Sequence, residues 1–511
     1  MTGTIKALLE RHDPNFLAIG APDRDWLTYD GLRKLATNVA KSLKDMGIGS
    51  QDRIAIVLPN GPEMATAFIT VAQAAVTAPL NPAYREEEYA FYLDDLKAKA
   101  IIVTADDDGP AVAAAKSGGV SIIRLHTNSE LPAGEFSLVL EGEISGSQDG
   151  TEPTSEDTAL ILHTSGTTSR PKIVPLLQSN VVASALHIKD TLQLTPVDRC
   201  MNVMPLFHIH GLIAAVSASL AAGASIWCAP GFDALRFFGW MKDSRPTWYT
   251  AVPTMHQALL SRASRNMDII ENANLRFLRS SSASLPAQVM KELVETFKAP
   301  VIEAYGMTEA AHQMSSNPLP PGEQKPGSVG LEAGPLIRIA DEQDNVLIQT
   351  PGEVVISGPN VTPGYESNDE ANQTSFFMAD GQRWFRTGDR GVLDEEGYLR
   401  LTGRLKEIIN RGGEKISPLE IDGVLMDHPA VAQVVTFALP HPKLGEEVAA
   451  AIVLREGLVA TEREIRDFAA TRMADFKVPR KVVIMEEIPK GATGKMQRIG
   501  LAEKLGLVKS Q

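Results

Sequence analysis

TALILHTSGTTSRPK, residues 158–172, runs from an apolar segment into a loop of small hydroxyl side chains and ends on Pro171 and Lys172. Four of the first five residues are aliphatic, so 158–162 reads as a short buried strand, and the loop leaves its end. Thr164, Ser165, Thr167, Thr168 and Ser169 offer five hydroxyls, Gly166 lets the backbone turn its amides inward, and Arg170 and Lys172 add positive charge. Such a loop suits a polyphosphate. It is not the P-loop pattern G-x-x-x-x-G-K-[ST], because Pro171 stands before the lysine and Ile173 after it. Taken alone, it could equally be a Ser/Thr-rich surface connection.

Outward from this stretch the chain alternates patterns. A helix of 3.6 period runs through Leu32, Leu35, Val39 and Leu43, and a strand follows at 53–58 (RIAIVL). A helix at 64–75 and a strand at 100–103 repeat the unit. After residue 251, helices around 255–260 and 287–296 alternate with strands at 277–280 and 301–304. Strands alternating with helices of this length predict parallel sheets covered on both faces. The segment 332–358 changes to short alternating runs that read as a small antiparallel β subdomain, whereas 105–156 reads as loops. The fold class is therefore α/β: a large N-terminal domain, 1–403, of parallel α/β subdomains plus the β subdomain, then a small α/β C-terminal domain, 404–511.

The chain has 511 residues, 44% hydrophobic and 22% charged, which fits a soluble enzyme with a large core. A net charge of −14 argues against a general nucleic-acid binder. The only cysteines, Cys200 and Cys228, have neither zinc-site nor disulfide spacing, and the default compartment is a reducing cytoplasm. Residues 201–232 carry no Asp, Glu, Lys or Arg, but Ser217, Ser219, Gly223 and Ser225 dilute the run, so a buried helix followed by a strand is expected there and not a membrane span.

Further motifs follow in order: YGMTE at 305–309, TGD at 387–389, GRLKEIINRGGEKISP at 403–418 and PKGATGK at 489–495. YGMTE comes directly after a strand, so it and the opening loop can face one crevice. There Glu309 is a candidate magnesium ligand; its alternative is a carboxylate favoured at a helix N-terminus. Together with TSGTTSRPK, these stretches resemble the ordered signature motifs of the acyl-adenylating enzymes, which comprise acyl-CoA synthetases, firefly-luciferase-like enzymes and peptide-synthetase adenylation domains. The likeness covers roughly residues 160–500.

The resemblance implies a division of labour. Thr164, Ser165, Gly166, Thr167, Thr168 and Lys172 would hold the ATP phosphates, and Glu309 with Thr308 and Thr168 would sit at Mg²⁺. Tyr305 and the Ser282, Ala283, Ser284 turn would flank the adenine, with Glu303, Ala304 and Gly306 beside them. Asp389 and Arg404 would take the ribose hydroxyls. Joining a carboxylate to the α-phosphate brings two anions together, and a cation must bridge them; Lys495 would be that catalytic group. The C-terminal domain would be mobile, turning about Lys406 so that Arg411, Gly412, Gly413 and Lys415 meet coenzyme A.

For the acid, PLFHIHGL (205–212), TWYTAVPTMHQ (247–257), SSSASLP (280–286) and MTEAAHQMSSNPLPPG (307–322) resemble the oxalate–CoA ligases. His208, Ser282 and His312 would line the acid's site, with His208 also counted among the catalytic groups. A long alkyl chain would leave these polar groups unpaired, at about 1–3 kcal/mol each. The expected activity is an ATP-dependent, AMP-forming carboxylate–CoA ligase for oxalate, acting as a monomer or weak dimer. Other readings are an aryl or medium-chain acid, a catalytically silent nucleotide-binding protein, and a module that loads a separate carrier. Ile173 stands where the family has glycine, which leaves the backbone path after the loop open.

Overall fold

The computed structural model describes residues 3–144, 151–164, 171–491 and 495–508. Ser165, Gly166, Thr167 and Thr168 of the expected phosphate loop lie outside the described residues, as does Gly494.

The described strands form four sheets. The first has the order Ser137–Glu141, Ser121–His126, Ala100–Thr104, Arg53–Ile56, Val76–Pro79, Thr158–Thr164, Lys172–Leu177, parallel except at its two outer pairs. Its inner strands are hydrophobic on both faces, as a sheet covered by helices on each side requires. The helix Tyr29–Asp45 illustrates the local logic. Thr28 caps it by accepting from Gly31 N–H at 3.2 Å, and Leu32, Leu35, Val39 and Leu43 form its buried stripe.

The second sheet has nine strands, and its central six are parallel: Val301–Met307, Phe277–Ser281, Trp248–Ala251, Arg199–Asn202, Ser225–Cys228 and Leu17–Gly20. The chain leaves Arg199–Asn202 toward Ser225–Cys228 on one side and later returns to place Trp248–Ala251 on the other. Neighbouring connections therefore diverge at this point and leave a crevice beyond the strand ends, where open α/β sheets bind their ligands. A third, antiparallel sheet spans Leu336–Ala340 to Leu399–Arg404. A fourth, built from Ile409–Arg411 to Lys481–Ile484 around the hairpin Val431–His441 and Gly445–Leu454, makes the smaller C-terminal unit.

Three expectations change. Residues 105–156 are not all loop: the helix Pro110–Gly118 and the strands Ser121–His126 and Ser137–Glu141 occupy much of them, and their apolar faces were obscured by flanking acidic and Gly/Ser residues. YGMTE does not follow its strand but continues it, because Val301–Met307 pairs with His312–Ser316 and only Thr308–Ala310 turns. Ile173 has a definite path, paired with His163 in the ladder and buried against Ile161. Residues 201–232 become a π-helical segment, His210–Ser217, then the α-helical turn Ala218–Ala221 and the strand Ser225–Cys228. Among the described residues no helix is long and apolar enough to cross a membrane.

Candidate active site

Beyond the ends of the parallel strands of the nine-stranded sheet lies a cavity of about 1110 Å³, walled by Ser282–Ser284, Ala304–Gly306, Asp389, Arg404 and Lys495. The C-terminal unit thus contributes to the same cavity as the large sheet. Two backbone features shape it. Ser282 has φ +75°, a left-handed conformation costing about 1–2 kcal/mol for a side chain other than glycine. Gly306 lies so close to the neighbouring strand that a Cβ would sit 1.8 Å from the His312 carbonyl oxygen.

Asp389 and Arg404 are opposed residues on the antiparallel strands Gln382–Leu393 and Leu399–Arg404. Arg404 Nε lies 3.3 Å from Asp389 Oδ1, and the Tyr305 hydroxyl donates to Asp389 Oδ2. Burial pushes the Asp389 carboxyl up, against the Arg404 charge and the Tyr305 hydrogen bond. The buried carboxylate and its cation stand at the cavity wall, where two neighbouring hydroxyls could be bound together.

Glu309, in the Thr308–Ala310 turn, is buried and accepts a hydrogen bond from the Tyr365 hydroxyl at 2.8 Å. Lys172 Nζ sits 4.2 Å from the centre of the Tyr365 ring. Burial raises the Glu309 carboxyl and lowers the Lys172 ammonium; each opposes the other's shift, and the Lys406 charge lowers Lys172 further. Lys406 is exposed in the turn after Arg404. Among the described residues no group of three or more His, Cys, Asp or Glu could hold a metal ion. The buried Glu309 carboxylate, with the Lys172 charge near it, still fits Mg²⁺, which takes one or two carboxylates and completes its shell with water and substrate phosphate.

Behind Ser282, which lines the cavity, the core holds a cluster of histidines. Ser282 Oγ lies 3.0 Å from His210 Nδ1, His210 Nε2 lies 2.6 Å from Thr250 Oγ1, and the His210 N–H donates to His208 Nδ1 at 3.2 Å. The His210 and His312 rings are 5.2 Å apart, and His312 Nδ1 is a buried atom without a hydrogen-bond partner among the described residues. Burial lowers all three imidazoles, that of His208 to about 3, so they are neutral at ordinary pH. Glu303 differs from its expected place: its side chain turns away to accept from Leu285 N–H at 2.9 Å, bracing the turn that carries Ser282 to Ser284, and burial pushes it up to about 8.

Lys495 comes from the C-terminal unit, and its ammonium is lowered to about 8, first by burial and then by the Arg404 charge. Arg498 anchors this segment, with contacts to Glu407 Oε2 at 3.2 Å and Asp422 Oδ2 at 3.0 Å. In this arrangement Lys415 also lines the cavity. Arg411 is held by Glu447 at 2.6 Å, while Gly412 and Gly413 form a turn at φ +62° and +97°.

Tyr365, His210 and Arg498 were not singled out as site residues from the sequence. His210 had a signal, lying two residues from His208. Tyr365 had none, because only the chain's return path brings it to Glu309.

The AMP-binding enzyme family model matches residues 9–366, and the AMP-binding enzyme C-terminal domain model matches residues 420–495. An oxalate–CoA ligase of Arabidopsis thaliana is 46% identical over 510 residues, covering 97% of each chain. An oxalate–CoA ligase of Saccharomyces cerevisiae is 42% identical over 476 residues, covering 89% of this chain and 87% of its own. Among solved structures, ATP-bound MatB from Rhodopseudomonas palustris superposes with a TM-score of 0.87 at 29% identity, covering 99% of both chains.

Proposed function

The chain belongs to the AMP-binding enzyme family and is an ATP-dependent, AMP-forming acid–CoA ligase, and from that premise we propose that its acid is oxalate. One carboxylate oxygen of the acid attacks the α-phosphorus of ATP, the bond to the β-phosphate oxygen breaks, and pyrophosphate leaves. The thiol of coenzyme A then loses its proton and attacks the acyl carbon, and AMP departs.

The observation that supports the acid assignment is the polar cluster behind Ser282, the member of it that lines the cavity. Ser282 is bonded to His210, and His312 Nδ1 has no partner of its own among the described residues. A short acid with oxygens at both ends satisfies these groups, whereas an alkyl chain leaves each unpaired at about 1–3 kcal/mol. Lys495 would neutralise the charge that accumulates as carboxylate and α-phosphate meet. Asp389 and Arg404 would hold the ribose, and Tyr305 with Ser282, Ala283 and Ser284 would enclose the adenine. Glu309 with Thr308 would hold Mg²⁺, which neutralises phosphate charge when bound. Rotation about Lys406, with 1–403 and 404–511 as the two bodies, would bring Gly412 and Gly413 against the pantetheine arm, with Arg411 and Lys415 on coenzyme A phosphates.

The test is acid-dependent pyrophosphate release, with and without coenzyme A, across oxalate, malonate, acetate, hexanoate and 4-coumarate. Oxalate should give the highest kcat/KM. Brisk coumarate turnover without oxalate turnover would overturn the assignment.

A further inference from the structure

The strand Phe277–Ser281 is buried along its whole length, yet it carries one cation into the core. Arg279 is fully buried, and among the described residues it has no carboxylate partner and its Nε has no hydrogen-bond partner. Nη2 donates to Gln313 Oε1 at 3.3 Å, and Nη1 lies 3.5 Å from His210 Nε2. A buried, unpaired charge is strongly unfavourable unless something nearby uses it. Burial lowers the guanidinium only to about 9, so it stays charged at neutral pH. The imidazoles of His208, His210 and His312 are neutral there, and the positive charges that bear on them include Lys495 at the cavity and Arg279 on the buried side.

Arginine can only donate hydrogen bonds. Its positive charge beside His210 Nε2 disfavours a proton on that nitrogen, so the single proton of the neutral ring belongs on Nδ1. Nδ1–H then donates to Ser282 Oγ at 3.0 Å, and the Thr250 hydroxyl donates to Nε2 at 2.6 Å. Ser282, occupied as an acceptor from behind, is left with its own hydroxyl proton to give into the cavity it lines. The hydrogen bonds from Arg279 Nη1 to His210, from His210 to Ser282 and from Ser282 into the cavity thereby run in one direction.

We propose that Arg279 is a positioning residue that selects acids bearing a second carboxylate, by holding His210 in the Nδ1–H form so that Ser282 donates to the carboxylate that does not react. The inference rests on the dicarboxylate reading above. In such an acid one carboxylate becomes the neutral acyl group of the mixed anhydride, while the other keeps its charge through both half-reactions. In a low-dielectric setting a fixed cation and an aligned donor discriminate that charge strongly.

Oxalate and glyoxylate differ by the second carboxylate at nearly the same size, and kcat and KM for both are measured in the full chain, in Arg279→Met and in Arg279→Lys. The oxalate-to-glyoxylate ratio of kcat/KM should fall about 100-fold in Arg279→Met, mainly through the KM for oxalate, and recover to within about tenfold of the parent in Arg279→Lys. Equal losses for both acids would overturn the proposal and leave Arg279 a brace for Gln313. Nitrogen-15 spectra of the unaltered protein provide a test independent of any variant's folding: an Nδ1–H signal for His210 supports the inference, and an Nε2–H signal overturns it. If the unaltered protein turns over no oxalate, the acid assignment fails, and the tautomer still decides whether the donor row is as described.

Discussion

Asp389 and Arg404 face each other across two antiparallel strands, with Arg404 Nε 3.3 Å from Asp389 Oδ1 and the Tyr305 hydroxyl donating to the other carboxylate oxygen. The pair joins two motifs 15 positions apart at the edge of the cavity, just before the chain enters its C-terminal unit. Arg404 is 61% exposed along its side chain, so the ion pair itself contributes at most about 1 kcal/mol to stability. Its proposed role is to present a buried carboxylate to the ribose.

Asp389→Ala should therefore weaken ATP binding by about 10- to 100-fold, as loss of charge-assisted hydrogen bonds to a ligand does. Titration calorimetry with ATP checks this. Unchanged affinity would remove Asp389 from the ribose site.

Lys495 provides the pH test. Its ammonium is lowered to about 8, so the cation proposed to lie between the two anions is present below that pH and lost above it. The kcat/KM for adenylate formation, which reports the free enzyme, should decline above about pH 8. Lys495→Arg, which stays protonated, should remove this decline at some cost in rate. Lys495→Ala should abolish adenylate formation while sparing thioester formation from supplied acyl-adenylate; equal loss of both half-reactions would contradict its role.

Tyr365→Phe removes the hydroxyl that donates to Glu309 at 2.8 Å and keeps the ring beneath Lys172. A carboxylate freed from its orienting partner should bind the metal less well, and partners of this kind are typically worth about 10- to 100-fold. The magnesium concentration giving half-maximal rate should rise by about tenfold, with little change in the thermal midpoint. A shifted midpoint with unaltered magnesium dependence would mark Tyr365 as a packing residue only.

Gly306→Ala places a Cβ 1.8 Å from the His312 carbonyl oxygen, so the paired strands must separate. Destabilisation of about 3 kcal/mol is expected, at the upper end of ordinary overpacking costs. Denaturant unfolding measures it, and an unchanged midpoint would show that the strands can yield.

Much of this protein was legible as a string of residues. Buried parallel strands leave continuous apolar runs, such as 53–58 and 100–103, and helices leave a 3.6 period, as in Leu32, Leu35, Val39 and Leu43. Motif order drew attention to Asp389, Arg404, Glu309 and Lys495, each in a short stretch with its own local pattern, and the structure places Asp389, Arg404 and Lys495 at one cavity.

The tertiary structure alone decided how these stretches meet. The divergence of connections at Arg199–Asn202 opens the crevice, and the return of the chain brings Tyr365 to Glu309 and Lys495 to Asp389 and Arg404. Arg279 is the clearest case. One charge within a buried strand is visible in the string, but its lack of a counter-ion among the described residues and its position behind His210 arise from strands distant in sequence. Local pattern encodes the period and chemistry of each segment, whereas contacts between segments depend on the packing of the whole chain.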